Sequence, residues 1–275
     1  MFELFELGLC NKFFYDSTTA VVICFFLVFV GGYLLGSLNF GVILSKAFYG
    51  GDVRSHGSGN AGATNMLRTY GKLPAALTFL GDAAKTALAV LFGALLLGVH
   101  TNAFYIKDGV IYKSFEDMVL ALSKLYGTDG PDVVTGVGEY AGFAGMYIGG
   151  MAAIIGHAFP VYYKFKGGKS VIATLVLVLF TEPLVALICL MFFVAIVAAT
   201  KYISLGSVMS VIVYPLILYR MTGPGPHDLV AIFVMLFVVY LHRANIQKLL
   251  NGTENKLSFK KKEQTDKNKK KGKDS

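Results

Sequence analysis

The chain is poor in charge and in cysteine. Only 15% of its 275 residues are Asp, Glu, Lys or Arg, against 55% hydrophobic, and the mean hydropathy is +0.61. Soluble domains carry about a quarter charged residues, so the composition excludes an ordinary soluble domain. Several apolar runs approach or exceed the roughly 20 residues that cross a bilayer core, and the weak dyad alternation of a β-barrel is missing. The three cysteines, Cys10, Cys24 and Cys189, have no metal-ligand spacing, and their odd number argues against a disulfide framework. The soluble catalytic patterns are missing as well. There is no G-x-S-x-G elbow, no H-E-x-x-H, and no His followed by Asp after four intervening residues. The fifth residues after the histidines are Ala61, Tyr105, Tyr162, Ile232 and Gln247. No metal and no cofactor is expected. Glu3 and Glu6 open the chain without a basic leader, so the first apolar run reads as a retained helix rather than a cleaved signal.

What is present is a polytopic all-α membrane protein. Seven apolar segments run over 18–46, 73–98, 138–160, 170–181, 184–200, 203–220 and 226–242. The fourth and fifth are separated only by Thr181, Glu182 and Pro183, which fits either one broken helix or two short tilted ones. Placing Lys and Arg inside puts the N-terminus outside and the C-terminus in the cytoplasm. It also puts 51–72, 164–169, Lys201 and the tail on the cytoplasmic face. Segment 99–137, with three Lys against five Asp or Glu, then lies outside as a polar insertion, a small helix and loop or a partly disordered stretch. Residues 1–17 form an extracytoplasmic segment, 18–254 the membrane-embedded domain, and 255–275 a disordered cytoplasmic tail. The nine lysines from Lys256 onward supply +6 of the net +8. They read as a solvated charge run or a contact for anionic headgroups. No aromatics interleave with them, so nucleic acid is not expected.

Three polar stretches interrupt the apolar pattern, and the topology gathers them on one face. Gly51–Lys72 reads GDVRSHGSGNAGATNMLRTYGK, Phe165–Thr174 reads FKGGKSVIAT, and His242–Glu254 reads HRANIQKLLNGTE. Glycine frees backbone N–H groups, hydroxyls and amides add donors, and Arg or Lys adds charge, which together suit phosphate. Gly57, Gly59 and Gly62 satisfy G-x-G-x-x-G, but a membrane helix precedes them, so the dinucleotide reading is rejected. Arg54, Ser58, Asn60, Thr64, Asn65 and Arg68 supply further donors there. Gly167, Gly168 and Lys169 form a turn before an apolar helix whose N-terminus attracts anions. It is not a P-loop, because Tyr163 stands where the first glycine belongs. His242 and Asn245, three apart, share a helix face. His157 ends the third segment as a packing residue or a ligand. Asp82 and Lys85, inside the second segment, are costly in a bilayer; they pair with each other or face the polar loops. Ser37 and Asn39 are weaker candidates of the same kind.

Taken together the chain resembles the bacterial acyl-phosphate:glycerol-3-phosphate acyltransferase family. The resemblance rests on GSLNFG at 36–41, GSGNAGATN at 57–65 with Arg68, and GDAAK at 81–85. It continues through GHAFPVYYKFKGGK at 156–169, KYISLGS at 201–207 and the His242–Glu254 stretch. Ser170 stands where the family commonly has glycine, and 99–137 and the lysine tail are longer than usual. The resemblance implies a seven-helix enzyme of the cell membrane with its site on the cytoplasmic face. It would move a fatty acyl group from acyl phosphate to the 1-hydroxyl of glycerol 3-phosphate, giving lysophosphatidic acid and phosphate in the first step of phospholipid synthesis. It further implies catalytic roles for His242, Asn245 and Lys169. Substrate phosphates would be held by Ser37, Arg54, Ser58, Gly59, Asn60, Thr64, Asn65, Arg68, His157, Gly167, Gly168, Ser204, Ser207 and Glu254. Either His242 or His157 takes the hydroxyl proton, or a substrate phosphate does; the phosphate is favoured because it is already at the reacting centre. The alternatives are a transporter of a phosphorylated solute and a membrane scaffold. A transporter would spread polar residues through the midplane of several helices, whereas here they crowd one face.

Overall fold

The computed structural model describes residues 9–10, 18–97, 105–107, 110–112 and 136–257. Its helices follow the apolar segments: α1 Thr18–Gly36, α2 Phe40–Tyr49, α3 Ala63–Tyr70, α4 Lys72–Leu97 and α5 Gly136–Ala158. After these come α6 Val171–Thr181, α7 Pro183–Thr200, α8 Ile203–Thr222, α9 Pro226–Leu241 and α10 Arg243–Leu250. Tyr105–Lys107 (β1) pairs antiparallel with Val110–Tyr112 (β2), Tyr105 opposite Tyr112. Within the insertion the described residues are these two paired strands, with alternating Tyr, Ile and Val in the sequence; the rest of 99–137, where a small helix and loop or a partly disordered stretch is expected, lies outside the described residues. Most of the expected N-terminal segment and lysine tail lies outside the described residues.

The first apolar run is two helices. Asn39, with φ −100° and ψ 98°, leaves the helical region and starts α2 afresh. The break frees the Leu38 carbonyl, which accepts from Lys85 Nζ at 2.5 Å. At the other doubtful junction Glu182 (φ −140°, ψ 73°) separates α6 from α7, and Pro183 begins the new helix. The last run bends by 60° at His242 into α10.

α1, α4 and α5 pack as one group, α7, α8 and α9 as another, and α6 touches α4, α5 and α7 between them. The first group closes on small residues. A Cβ on Gly93 would lie 2.0 Å from the Gly145 carbonyl oxygen, and one on Gly36 would lie 2.4 Å from that of Ala153. Membrane helices, lacking a hydrophobic drive against each other, gain cohesion through such close backbone approach. Val90, Tyr147, Ile154, Leu177, Val211 and Val238 form the shared core, while Phe26, Leu80, Leu184, Met191, Leu216 and Leu236 point outward. Among the described residues, α1 with α2, α4, α7 and α8 are long and apolar enough to cross a membrane. The bent pair α9–α10 also qualifies, and α6 is shorter. An outward apolar surface of this kind belongs to a membrane protein.

Candidate functional site

The polar stretches meet at one end of the bundle. Arg54 Nη1 donates to the carbonyls of Lys166 (2.6 Å) and Tyr163 (3.2 Å), joining the first stretch to the second. Arg68 Nη2 donates to the Asn255 carbonyl at 3.4 Å, joining the first to the third. Leu257 N–H donates to the Lys201 carbonyl at 2.7 Å.

Beneath these loops lies a cavity of about 430 Å³. Its mouth is lined by Ser58, Asn60, Thr64, Asn65, Arg68, Lys169, Ser204, Ser207, His242, Asn245 and Glu254, with His157 and Asp82 beside them. Two helix N-termini open onto it, Gly62–Thr64 of α3 and Ser170–Ile172 of α6. Free N–H groups and the helix dipole make such ends anion sites. Deeper in, the lining becomes Leu175, Val178, Ala186, Cys189, Leu190, Phe193, Val211 and Tyr214 from α6, α7 and α8. The cavity thus joins a cationic, donor-rich mouth to an apolar groove.

Five of the expected binding residues do not line the cavity. Ser37 is buried; its Oγ donates to the Tyr33 carbonyl at 2.8 Å and accepts from Val161 N–H at 3.4 Å. Arg54 is held by Asp52 (2.7 Å) and the two carbonyls named above, which also keeps the Asp52 carboxyl below the usual carboxylate range. Gly59, Gly167 and Gly168 shape the adjoining backbone. Asn65 does line the cavity, yet its side chain is spent on the loop. Its Nδ2 donates to the carbonyls of Val53, His56 and Asn60 at 2.9, 3.0 and 2.8 Å, and its Oδ1 accepts from Ser58 N–H at 2.8 Å. Gly57 makes room for this, since a Cβ there would fall 2.2 Å from Asn65 Oδ1 in a backbone already at φ +57°.

The reacting end is a network of its own. Lys169 Nζ donates to Asn245 Oδ1. Asn245 Nδ2 donates to Ser204 Oγ (3.0 Å) and to both Glu254 oxygens (3.1 and 3.0 Å), and Ser204 Oγ donates to Glu254 Oε1 (3.0 Å). Burial lowers the Lys169 pKa to about 8; Arg68 and Lys248 push the same way and Glu254 opposes them. His242 Nδ1 lies 2.8 Å from the Val238 carbonyl. A carbonyl only accepts, so Nδ1 carries the proton and Nε2 is left as an acceptor. Ser170 adopts φ +60° with its side chain buried, and its Oγ donates to the Ile154 carbonyl at 2.7 Å. Its backbone takes the left-handed form that glycine adopts most easily, and the hydroxyl bond offsets part of the cost. Among the described residues no three of His, Cys, Asp or Glu gather as metal ligands.

Asp82 and Lys85 pair as expected (2.8 Å), but the apolar groove residues and His157 as the third member of that pair were not foreseen from the sequence. The groove residues had no local signal, since on an apolar helix the cavity side and the lipid side are written in the same letters.

The family model for glycerol-3-phosphate acyltransferase matches residues 26–252. The glycerol-3-phosphate acyltransferase of Clostridioides difficile is 35% identical over 243 residues, covering 87% of this chain and 98% of that protein. That of Halalkalibacterium halodurans is 35% identical over 239 residues, covering 86% and 96%. Among solved structures, the integral membrane glycerol 3-phosphate acyltransferase PlsY in its glycerol 3-phosphate form superposes with a TM-score of 0.64 at 28% identity, over 85% of this chain and 96% of PlsY. Its lysophosphatidic acid form gives 0.61 at 26% identity, over 86% and 96%. With sequence relatives and solved structures agreeing over nearly the whole bundle, the chain belongs to the glycerol-3-phosphate acyltransferase family.

Proposed function

We propose that this acyltransferase uses acyl phosphate as its donor and acylates the 1-hydroxyl of glycerol 3-phosphate, releasing lysophosphatidic acid and inorganic phosphate. The observation that carries the reading is the shape and chemistry of the cavity. Its mouth has Lys169, Arg68, hydroxyls and two helix N-termini for two phosphate groups, and its groove suits one acyl chain. Acyl phosphate is already activated, so no acyl-enzyme nucleophile is required. The hydroxyl oxygen attacks the acyl carbonyl carbon, the bond from that carbon to the phosphate oxygen breaks, and the hydroxyl proton passes to a phosphate oxygen. The chain's task is to position the reactants and stabilise the developing negative charge.

In this reading Ser58, Asn60, Thr64, Arg68, Lys169 and Ser207 face the phosphates. Asn245, held by Ser204 and Glu254, orients the carbonyl or the hydroxyl. His242 accepts a hydrogen bond at Nε2. Ser37, Arg54, Gly59, Asn65, Gly167 and Gly168 act by shaping the rim. Seven spans follow from the number of apolar segments, and an outside N-terminus and a cytoplasmic site at the cell membrane from the Lys and Arg distribution. The segments at 1–17, 99–137 and 255–275 carry no part of the proposed chemistry beyond the Asn255 and Leu257 backbone contacts described above.

The test is purified protein with acyl phosphate and radiolabelled glycerol 3-phosphate. Acylated product is expected, and none when acyl-CoA or acyl-carrier protein replaces the donor; the reverse preference overturns the donor assignment. For the proton, His242→Ala should leave measurable transfer. Loss to background with glycerol 3-phosphate binding intact would sink the substrate-assisted route. Cysteine labelling that places positions 60 and 169 on opposite sides of the bilayer would end the one-site topology.

A further inference from the structure

Asp82, Lys85 and His157 form a buried cluster that the mechanism above does not use. All three are almost fully buried, at 0%, 2% and 4% exposure. Lys85 Nζ sits 2.5 Å from the Leu38 carbonyl, 2.9 Å from His157 Nδ1 and 2.8 Å from Asp82 Oδ1. The first two contacts are hydrogen bonds, and the third is a close ion pair.

Charge and donor counting settle who holds which proton. An ammonium has three N–H groups and no lone pair. A carbonyl and a carboxylate only accept, and an ammonium at Lys85 puts the cation 2.8 Å from the Asp82 carboxylate, whereas an imidazolium at His157 would sit 3.6 Å from it. With Lys85 an ammonium, His157 Nδ1 must accept from it. The other route to a protonated Nδ1, donation to Asp82 Oδ1, spans 3.6 Å, too long for a hydrogen bond. The imidazole proton therefore resides on Nε2. That nitrogen is the far end of the ring, pressed under the turn that presents Lys169: a Cβ on Gly168 would lie 2.2 Å from it. The His157 and Ala158 carbonyls hold the same turn, accepting from Gly168 N–H at 3.0 Å and Gly167 N–H at 3.1 Å, and His157 lines the cavity.

We infer that Lys85 is a positioning residue that fixes His157 as the Nε2–H tautomer, so that His157 offers the site a hydrogen-bond donor and does not serve as its base. His242, with its proton on Nδ1, has the opposite tautomer. The two cavity histidines are thus a donor and an acceptor. Lys85 also ties the α1–α2 break to the Gly167–Gly168 turn, segments more than a hundred residues apart. The tautomer follows from the local geometry alone; its consequence for acyl transfer rests on the site proposed above.

The test reads the tautomer directly, by nitrogen-15 NMR of ring-labelled histidine in the wild-type protein at neutral pH. The His157 signals are assigned by their loss in His157→Gln, or by through-space transfer from labelled Lys85 Nζ if that variant does not fold. A protonated Nε2 at His157 and a protonated Nδ1 at His242 are expected. A protonated Nδ1 at His157, or a charged ring, overturns the proposal whatever the donor of the reaction proves to be. In the acyl phosphate assay His157→Gln keeps a donor but no base. It should retain at least about tenfold more kcat/KM than His157→Ala, the difference made by one buried hydrogen bond. Equal loss in two folded variants removes the donor role. In folded Lys85→Met the His157 signals should move toward a mixture of tautomers, a change that loosened packing alone would not produce.

Discussion

Two ion pairs, each a carboxylate with a nearby cation on the same stretch of chain, serve this site from different depths. Asp52 and Arg54 meet at 2.7 Å at the rim, their side chains 25% and 21% exposed. Asp82 and Lys85 meet at 2.8 Å inside the bundle, at 1% each. The rim pair is partly exposed, and pairs at the surface contribute roughly 0–1 kcal/mol. Its importance is geometric: the Arg54 fork is held by Asp52 so that Nη1 reaches the carbonyls beside the Gly167–Gly168 turn. The interior pair has no water to fall back on. Neither charge is tolerable alone, and the pair anchors whatever else it touches, here Leu38 and His157. Similar chemistry thus acts as a latch at the surface and as a keystone in the interior.

The largest effect that separates the two is on stability. Lys85→Met strands the Asp82 carboxylate and should cost about 3–5 kcal/mol, whereas Asp82→Leu with Lys85→Met should recover most of it, as buried pairs replaced by apolar residues generally do. Thermal unfolding of the detergent-solubilised protein measures both, and a double variant no better than the single one would break the comparison. Next in size is Lys169→Ala, expected to lower kcat/KM for glycerol 3-phosphate by at least ~2 kcal/mol by leaving a phosphate oxygen unpaired. Arg54→Ala should lose about 1–2 kcal/mol through displacement of the turn. Arg54→Lys should restore little, because an ammonium lacks the planar fork that lets Nε and Nη2 hold Asp52 while Nη1 reaches the carbonyls. Full rescue by Lys would show that Arg54 matters as a point charge. The smallest effect is a pH dependence. Because the Lys169 pKa is depressed to about 8, its charge is present below that pH and is lost as pH rises through it. KM for glycerol 3-phosphate should therefore climb above pH 8 in the wild type, and stay flat over that range in Lys169→Arg, whose guanidinium does not titrate there.

Much of the polar cavity lining was legible in the sequence, because residues suited to phosphate leave local marks. Clustered glycine, hydroxyl and cationic residues stand out against apolar helices, and twelve of the seventeen residues named as candidates line the cavity. Two of the residues assigned differently share one cause. Arg54 and Asn65 have the same donors whether they face a ligand or a backbone carbonyl, and only the fold shows that both face carbonyls. Ser170 in place of glycine raised a question about the turn that composition had no means to answer. The Ile154 carbonyl, sixteen residues earlier, answers it.

By itself the amino-acid order determined the apolar spans, their ends near glycine and proline, and the gathering of basic loops on one face, since each depends on neighbours in the chain and on the cost of charge in a bilayer. The tertiary structure alone decided which donors open onto the cavity, which helix faces form the groove, and which nitrogen of each histidine holds the proton. Those depend on partners far away along the chain, brought within 3 Å only when the helices pack: Lys85 and His157 are separated by 72 residues.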